Sequence, residues 1–206
     1  MKIQYIFFFI FTQYAFGQTI LEKGESSFFR IQKVQTGNSI EVLVTDLKGV
    51  KLSEERIFME QGQFKDYAWT QYQTGEKVNI ELRQNKIIFN SKGKKKIIDL
   101  SNEELKFLTL PPLLSSTLIE RIKKNPNEEK FEVVVIVPDR MLLLRFKFIK
   151  TSEKDEVSEW LLKPNNFFIG LLVGPVIFQF DKNYNLKKIK NITLPIRPTT
   201  KTEINF

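Results

Sequence analysis

Apolar and polar residues alternate one for one over much of the chain. In "SIEVLVTD" the residues Ile40, Val42 and Val44 fall on one side, and in "KVNIELR" Val78, Ile80 and Leu82 do so while Asn79, Glu81 and Arg83 face the other way. In "LLRFKFIK" Leu144, Phe146 and Phe148 alternate with Arg145 and Lys147. A period of two is the mark of half-buried strands with one wet face, as antiparallel sheets have. Turn punctuation separates the runs at Thr36-Gly37-Asn38, Lys48-Gly49, Gln61-Gly62, Thr74-Gly75 and Lys92-Gly93, where glycine permits positive φ. The pattern predicts strands near 26–34, 39–47, 50–59, 63–72, 76–83, 86–91, 94–100, 130–137, 141–150, 156–163, 175–181 and 185–191.

Two stretches break the alternation. "LPPLLSSTLIERIKKNPNE" sets Leu114, Leu118 and Ile122 at i, i+4 and i+8, opens with Pro111-Pro112 and closes with Lys123-Lys124 before Asn125-Pro126. Those are the start and stop signals of an amphipathic helix over 113–124 that lies on the sheet. The second is "KPNNFFIGLLVGPVIFQFDKNYNLKKI", with fourteen uncharged residues from Phe167 to Phe180. Asn165 and Asn166 suit a helix N-cap, Gly174 its end, and Pro175 the start of a strand. A run cut by Gly174-Pro175 falls short of the roughly twenty apolar residues a bilayer span needs. It predicts a short buried helix over Phe167–Val173, then a strand, and not an integral membrane protein.

The N-terminus reads as an export signal. Lys2 gives a positive start, Tyr5 to Phe11 an apolar run, and Ala15-Phe16-Gly17 a small-x-small cleavage site before Gln18. The expected organisation is a signal peptide over 1–17 and a single β-rich domain over 18–206, periplasmic or secreted. With the formal charge of the 206-residue chain at +8, loss of Lys2 leaves +7. Cysteine and histidine are both absent. That excludes Ser-His-Asp and Cys-His catalysis, the imidazole general base, and zinc sites built on those ligands. The acidic pairs Glu54-Glu55, Glu103-Glu104, Glu128-Glu129 and Asp155-Glu156 lack calcium-loop spacing and read as solvated charge. Asp66, Asp139 and Glu159 stand near aromatic residues, as sugar-cleaving carboxylates do, but no catalytic signature accompanies them. The expectation is no enzyme, no metal and no cofactor.

Lysine clusters in "RQNKIIFNSKGKKK" and "NLKKIK". On an exported chain these suit an envelope protein or an anionic surface rather than nucleic acid, and lysine on exposed strands also blocks edge-to-edge aggregation. At "FEVVVIVPDRMLLLRFKF" and through Pro164, Asn166, Pro175, Phe178, Phe180, Asp181 and Leu186, the chain resembles a group of uncharacterised exported bacterial proteins of the domain-of-unknown-function kind. The resemblance implies a mainly β fold, a strongly curved antiparallel sheet, open and barrel-like, with one or two short helices on its concave face, similar to periplasmic lipoprotein carriers. In such a fold the apolar sheet face and inner helices enclose a greasy hollow. The expected function is non-catalytic binding or carriage of a lipid or other hydrophobic envelope molecule, with Trp69, Phe146, Phe148, Trp160, Phe167, Phe168 and Leu171 as its lining. The alternative is an envelope interaction or assembly protein with a filled core and no small-molecule ligand.

N-terminal sequencing of protein from the native host is expected to start at Gln18 or within a few residues of it. Intact Met1 on a membrane-embedded chain would overturn the export reading.

Overall fold

The computed structural model describes residues 17–21, 29–166, 175–193 and 201–205. The fold is mainly β, and its strands fall into two sheets, one in each of two compact units. The expected helix over Phe167–Val173 lies outside the described residues, as does the segment 1–16.

One unit comprises the described residues of Thr12–Lys106 together with Pro138–Leu142. Its sheet is an eight-stranded antiparallel meander in strict chain order. The strands are β1 (Gly17–Leu21), β2 (Phe29–Thr36), β3 (Ser39–Asp46), β4 (Lys51–Glu60), β5 (Gln63–Gln71), β6 (Glu76–Arg83), β7 (Lys86–Ser91) and β8 (Lys94–Asp99). Alternation drives the burial: Ile40, Val42 and Val44 of β3, Val78, Ile80 and Leu82 of β6, and Ile87 and Phe89 of β7 are all buried. Tight turns set the register. Gln61-Gly62 and Lys92-Gly93 hold both residues at positive φ, the conformation two-residue hairpins need to match strand twist. Helix α1 (Asn102–Lys106) follows β8. Its start is a reciprocal cap: the Glu104 amide donates to the Ser101 hydroxyl at 3.1 Å and the Ser101 amide to the Glu104 carboxylate at 2.9 Å.

The other unit takes the described residues of Phe107–Val137 and Leu143–Phe206. It holds β9 (Leu108–Thr109), α2 (Leu114–Lys124), β10 (Lys130–Val137), β11 (Leu142–Lys154), β12 (Val157–Pro164), β13 (Val176–Asp181), β14 (Leu186–Thr193) and β15 (Lys201–Asn205). The sheet order is β15-β14-β13-β12-β11-β10-β9, with β9 parallel to β10. The α2 connection between them is what a parallel pair requires. From Val133 to Val137 every residue of β10 is buried, the pattern of a strand covered on both faces. The guanidinium of Arg121 on α2 stands 5.3 Å from the Phe131 ring of β10 and 4.5 Å from that of Phe107, while gripping Glu128 with two bonds of 2.7 Å. Leu114, Leu118 and Ile122 are buried, as their spacing predicts. Among the described residues no helix is long and apolar enough to cross a membrane.

Leu118→Asp is expected to cost more than about 3 kcal/mol in chemical denaturation, because it buries an unpaired charge. A loss within about half a kcal/mol would place that helix face in solvent.

Candidate functional site

Strand β4 carries polar residues where its neighbours carry apolar ones. Ser53, Glu55 and Ile57 fall on its buried side, since side chains two apart share a face. Glu55 stands opposite Val42 of β3 and Trp69 of β5. Ser53 stands opposite Val44 of β3, and Ile57 opposite Tyr67. Glu55 is fully buried, and the Tyr67 hydroxyl donates to its Oε2 at 2.7 Å. Glu55 Oε1 and Ser53 Oγ, both buried, have no hydrogen-bond partner among the described residues. Leaving such a group unsatisfied costs roughly 1–3 kcal/mol, so this pair is a standing cost to the fold.

Burial sets the charge state. Desolvation pushes the Glu55 carboxyl up to about 8, against a smaller pull from the Tyr67 hydrogen bond, so the acid is neutral at pH 7. Desolvation and the Glu55 carboxyl raise the Tyr67 hydroxyl well above its ordinary value. Two further groups bear on this spot. Lys33 of β2 lies opposite Val42 on the same rung as Glu55, and burial lowers its amine. Asp139 sits in the Pro138–Arg140 turn, which lies against β6. Desolvation raises its carboxyl, opposed by Arg140, whose Nε is 3.4 Å away.

The reading of Glu54-Glu55 as a solvated pair is corrected here. Consecutive strand residues point to opposite faces, so only Glu54 is at the surface. Its carboxylate meets Lys51 at 3.3 Å and Arg56 at 2.6 Å and accepts from the Tyr72 hydroxyl at 2.7 Å. That hydrogen bond, the largest cause, holds Glu54 below the usual carboxylate range. Glu55, its neighbour in sequence, is enclosed. The phase of the alternation was the available signal, because Ile57 two residues on is a core position.

The residues expected to line a hollow are distributed as follows. Phe146, Phe148 and Trp160 belong to the seven-stranded unit and are all buried. Phe148 stacks on Trp160 with ring centres 4.9 Å apart, and edge contacts join it to Phe178 at 5.5 Å and Phe180 at 6.5 Å. Phe131 meets Phe148 at 5.3 Å and Trp160 at 5.9 Å. These five rings pack on one another. Trp69 lies in the eight-stranded unit, one strand from Glu55, and Phe167, Phe168 and Leu171 lie outside the described residues. The carboxylates Asp66 and Glu159 sit in different units. Asp66 is exposed, whereas Glu159 accepts from Gln179 at 3.0 Å and lies 3.8 Å from Lys190. A groove of about 340 Å³ opens along β3 to β6 between Glu41, Arg56, Phe58 and Ala68. Lys94, Lys95 and Lys96 are exposed along the edge strand β8.

The fold and site together define a β-sheet protein with a neutral acid set in an apolar sheet face. No protein-family model matches the chain, and no curated protein matches it. Among solved structures it is similar to the crystal structure of a beta-barrel-like protein of the domain of unknown function DUF1849 from Brucella abortus. The identity is 12%, over 79% of this chain and 81% of that one, with a TM-score of 0.49.

The raised carboxyl makes stability pH-dependent. The folded state keeps the Glu55 proton while the unfolded chain releases it above its ordinary value of 4.5. The contribution is therefore fully present below that value and is lost as pH rises towards about 8. Relative to Glu55→Gln, the parent is expected to lose about 1.4 kcal/mol per pH unit between roughly pH 5.5 and 7.5. Urea denaturation of both proteins checks this, and parallel profiles would mean that Glu55 is ionised when folded. Lys33 acts with the opposite sign, at alkaline pH below 10.5.

Proposed function

We propose that the chain is a non-catalytic, exported binding protein of the cell envelope that holds a hydrophobic molecule against the buried face of its eight-stranded sheet. The single observation that carries this reading is the enclosed Glu55 carboxyl in that face. A core built only for stability gains nothing from an enclosed carboxyl with one oxygen unpartnered, since apolar residues of like volume pack there at lower cost. Such a group is worth its cost where a ligand uses it. The surrounding Val42, Val44, Ile57, Trp69 and Val78 offer the apolar contact that supplies most of the affinity for a hydrophobic molecule. The apolar N-terminal run and small-x-small site support export.

A second reading draws on the other unit. Its five-ring cluster is mutually packed, which supports a filled core there and a role in envelope interaction or assembly. The exposed lysines of β8 would then meet an envelope protein or an anionic surface.

Protein purified without detergent from the native host, then denatured and extracted with organic solvent, is expected to release an apolar species at near-stoichiometric amounts in mass spectrometry. A chain that releases none, and that takes up none when apolar molecules are supplied, would end the binding reading in favour of the second.

A further inference from the structure

The outer face of the eight-stranded sheet is indented at Ala68. On β5 that residue stands between Arg56 of β4 and Asn79 of β6, a small side chain between two long ones. One rung along, Phe58, Asp66 and Glu81 face the same way, since side chains two apart share a face. All six line the groove of about 340 Å³ that runs from β3 to β6. Ile57, Tyr67 and Ile80 also border it. Their side chains are buried on the other face, so what they supply is a floor of main chain. Two rungs across four strands make a trough about 7 Å wide and about 14 Å long, and its volume is of the order that small-molecule sites have.

The lining selects among ligands. Asp66 and Asn79 are exposed, and neither side chain has a hydrogen bond or ion pair among the described residues. Beside them Phe58 is 42% exposed, a flat apolar plate on a polar surface. Arg56 is engaged by Glu41 at 3.4 Å and Glu54 at 2.6 Å, and Glu81 by Arg83 at 2.5 Å. With Asp66, the carboxylates here outnumber the guanidiniums, so an anion is disfavoured. An apolar molecule would strip water from Asp66 and Asn79 without replacing its hydrogen bonds. A cation would find Asp66 alone unpaired, and an exposed ion pair is worth little. A sugar satisfies all of these groups. Its hydroxyls donate to Asp66 and both donate to and accept from Asn79, while the C–H face of its ring covers the electron-rich face of Phe58. We propose that this trough binds a neutral oligosaccharide, with one sugar ring seated over Ala68 against Phe58. Its extent across four strands suits a chain of linked rings rather than a single sugar. The site lies on the opposite face from Glu55 and does not depend on what that face holds.

Titration calorimetry on the protein and its variants, each purified from the native host, tests the proposal. The parent is expected to bind at least one of cellohexaose, chitohexaose and mannohexaose saturably, and to bind neither polygalacturonate nor spermidine at the same concentration. Ala68→Leu fills the trough from the solvent side and should abolish sugar binding. Asn79→Ala should weaken it about threefold to tenfold, the scale of a lost hydrogen bond, and Phe58→Ala at least as much. All three positions face outward, so urea midpoints should stay close to the parent's. Should Phe58→Ala fail to fold, Ala68→Leu and Asn79→Ala decide. Absence of binding to all three sugars would overturn the proposal, as would sugar binding that Ala68→Leu leaves intact. Tighter binding of spermidine or polygalacturonate would overturn the neutral ligand. Release of an apolar species from Ala68→Leu, measured as for the parent, reports on the inner face separately, so each reading fails on its own measurement.

Discussion

A strand has two sides, and a residue has no choice about which it takes. Everything distinctive in this chain follows from that constraint acting on a sequence rich in charge. In β4, "SEERI" sends Ser53, Glu55 and Ile57 inward and Glu54 and Arg56 outward. Once Ile57 is committed to the core opposite Tyr67, Glu55 has no route to water short of breaking the ladder. The same rule makes its neighbour Glu54 an ordinary surface carboxylate among Lys51, Arg56 and Tyr72. Two glutamates adjacent in sequence thus differ in charge at neutral pH because of parity.

The two units handle polar and aromatic groups differently. In the seven-stranded unit five rings satisfy one another by stacking and edge contact, and the Trp160 indole donates to Ser158 at 3.3 Å. Arg121 lies over the ring faces of Phe131 and Phe107 while its charge is neutralised by Glu128. Those polar groups are closed internally. The eight-stranded unit instead encloses Glu55 Oε1 and Ser53 Oγ with no hydrogen-bond partner among the described residues.

Much of the fold was legible in the sequence because period two is a strong signal when one face is wet. The boundaries of β3, β6 and β7 follow from alternation and turn residues, and those of β10 from its continuous apolar run. What escaped had physical reasons. Strand β9 is two residues long and pairs in parallel, too short to show any period. Strand β11 runs on to Lys154 through four exposed polar residues, where neither face is apolar. Its turn at Asp155-Glu156 reaches positive φ without glycine, so the usual punctuation is missing. Helix α1 is announced only by the Ser101-Glu104 spacing, since none of its residues is buried. Of the candidate site, Trp69 is legible by its size. Glu55 is not, because a carboxylate beside another carboxylate reads as surface, and only the strand phase, carried through from Ile57, reveals otherwise.

The strict chain order of the first sheet has a kinetic meaning. Each of β2 to β8 pairs with the strand just before it, so every new strand closes only a short loop on a template already present, which keeps contacts local and assembly fast. The ladder is complete once Asp99 is available, with nothing downstream required for its hydrogen bonds. The second sheet differs at its first step: β9 and β10 are parallel, and α2 lies between them in the chain. Their pairing must wait for that helix to fold back, so the two sheets form on different clocks, and a polypeptide emerging N-terminus first presents the Glu55 face before its second half has begun to order.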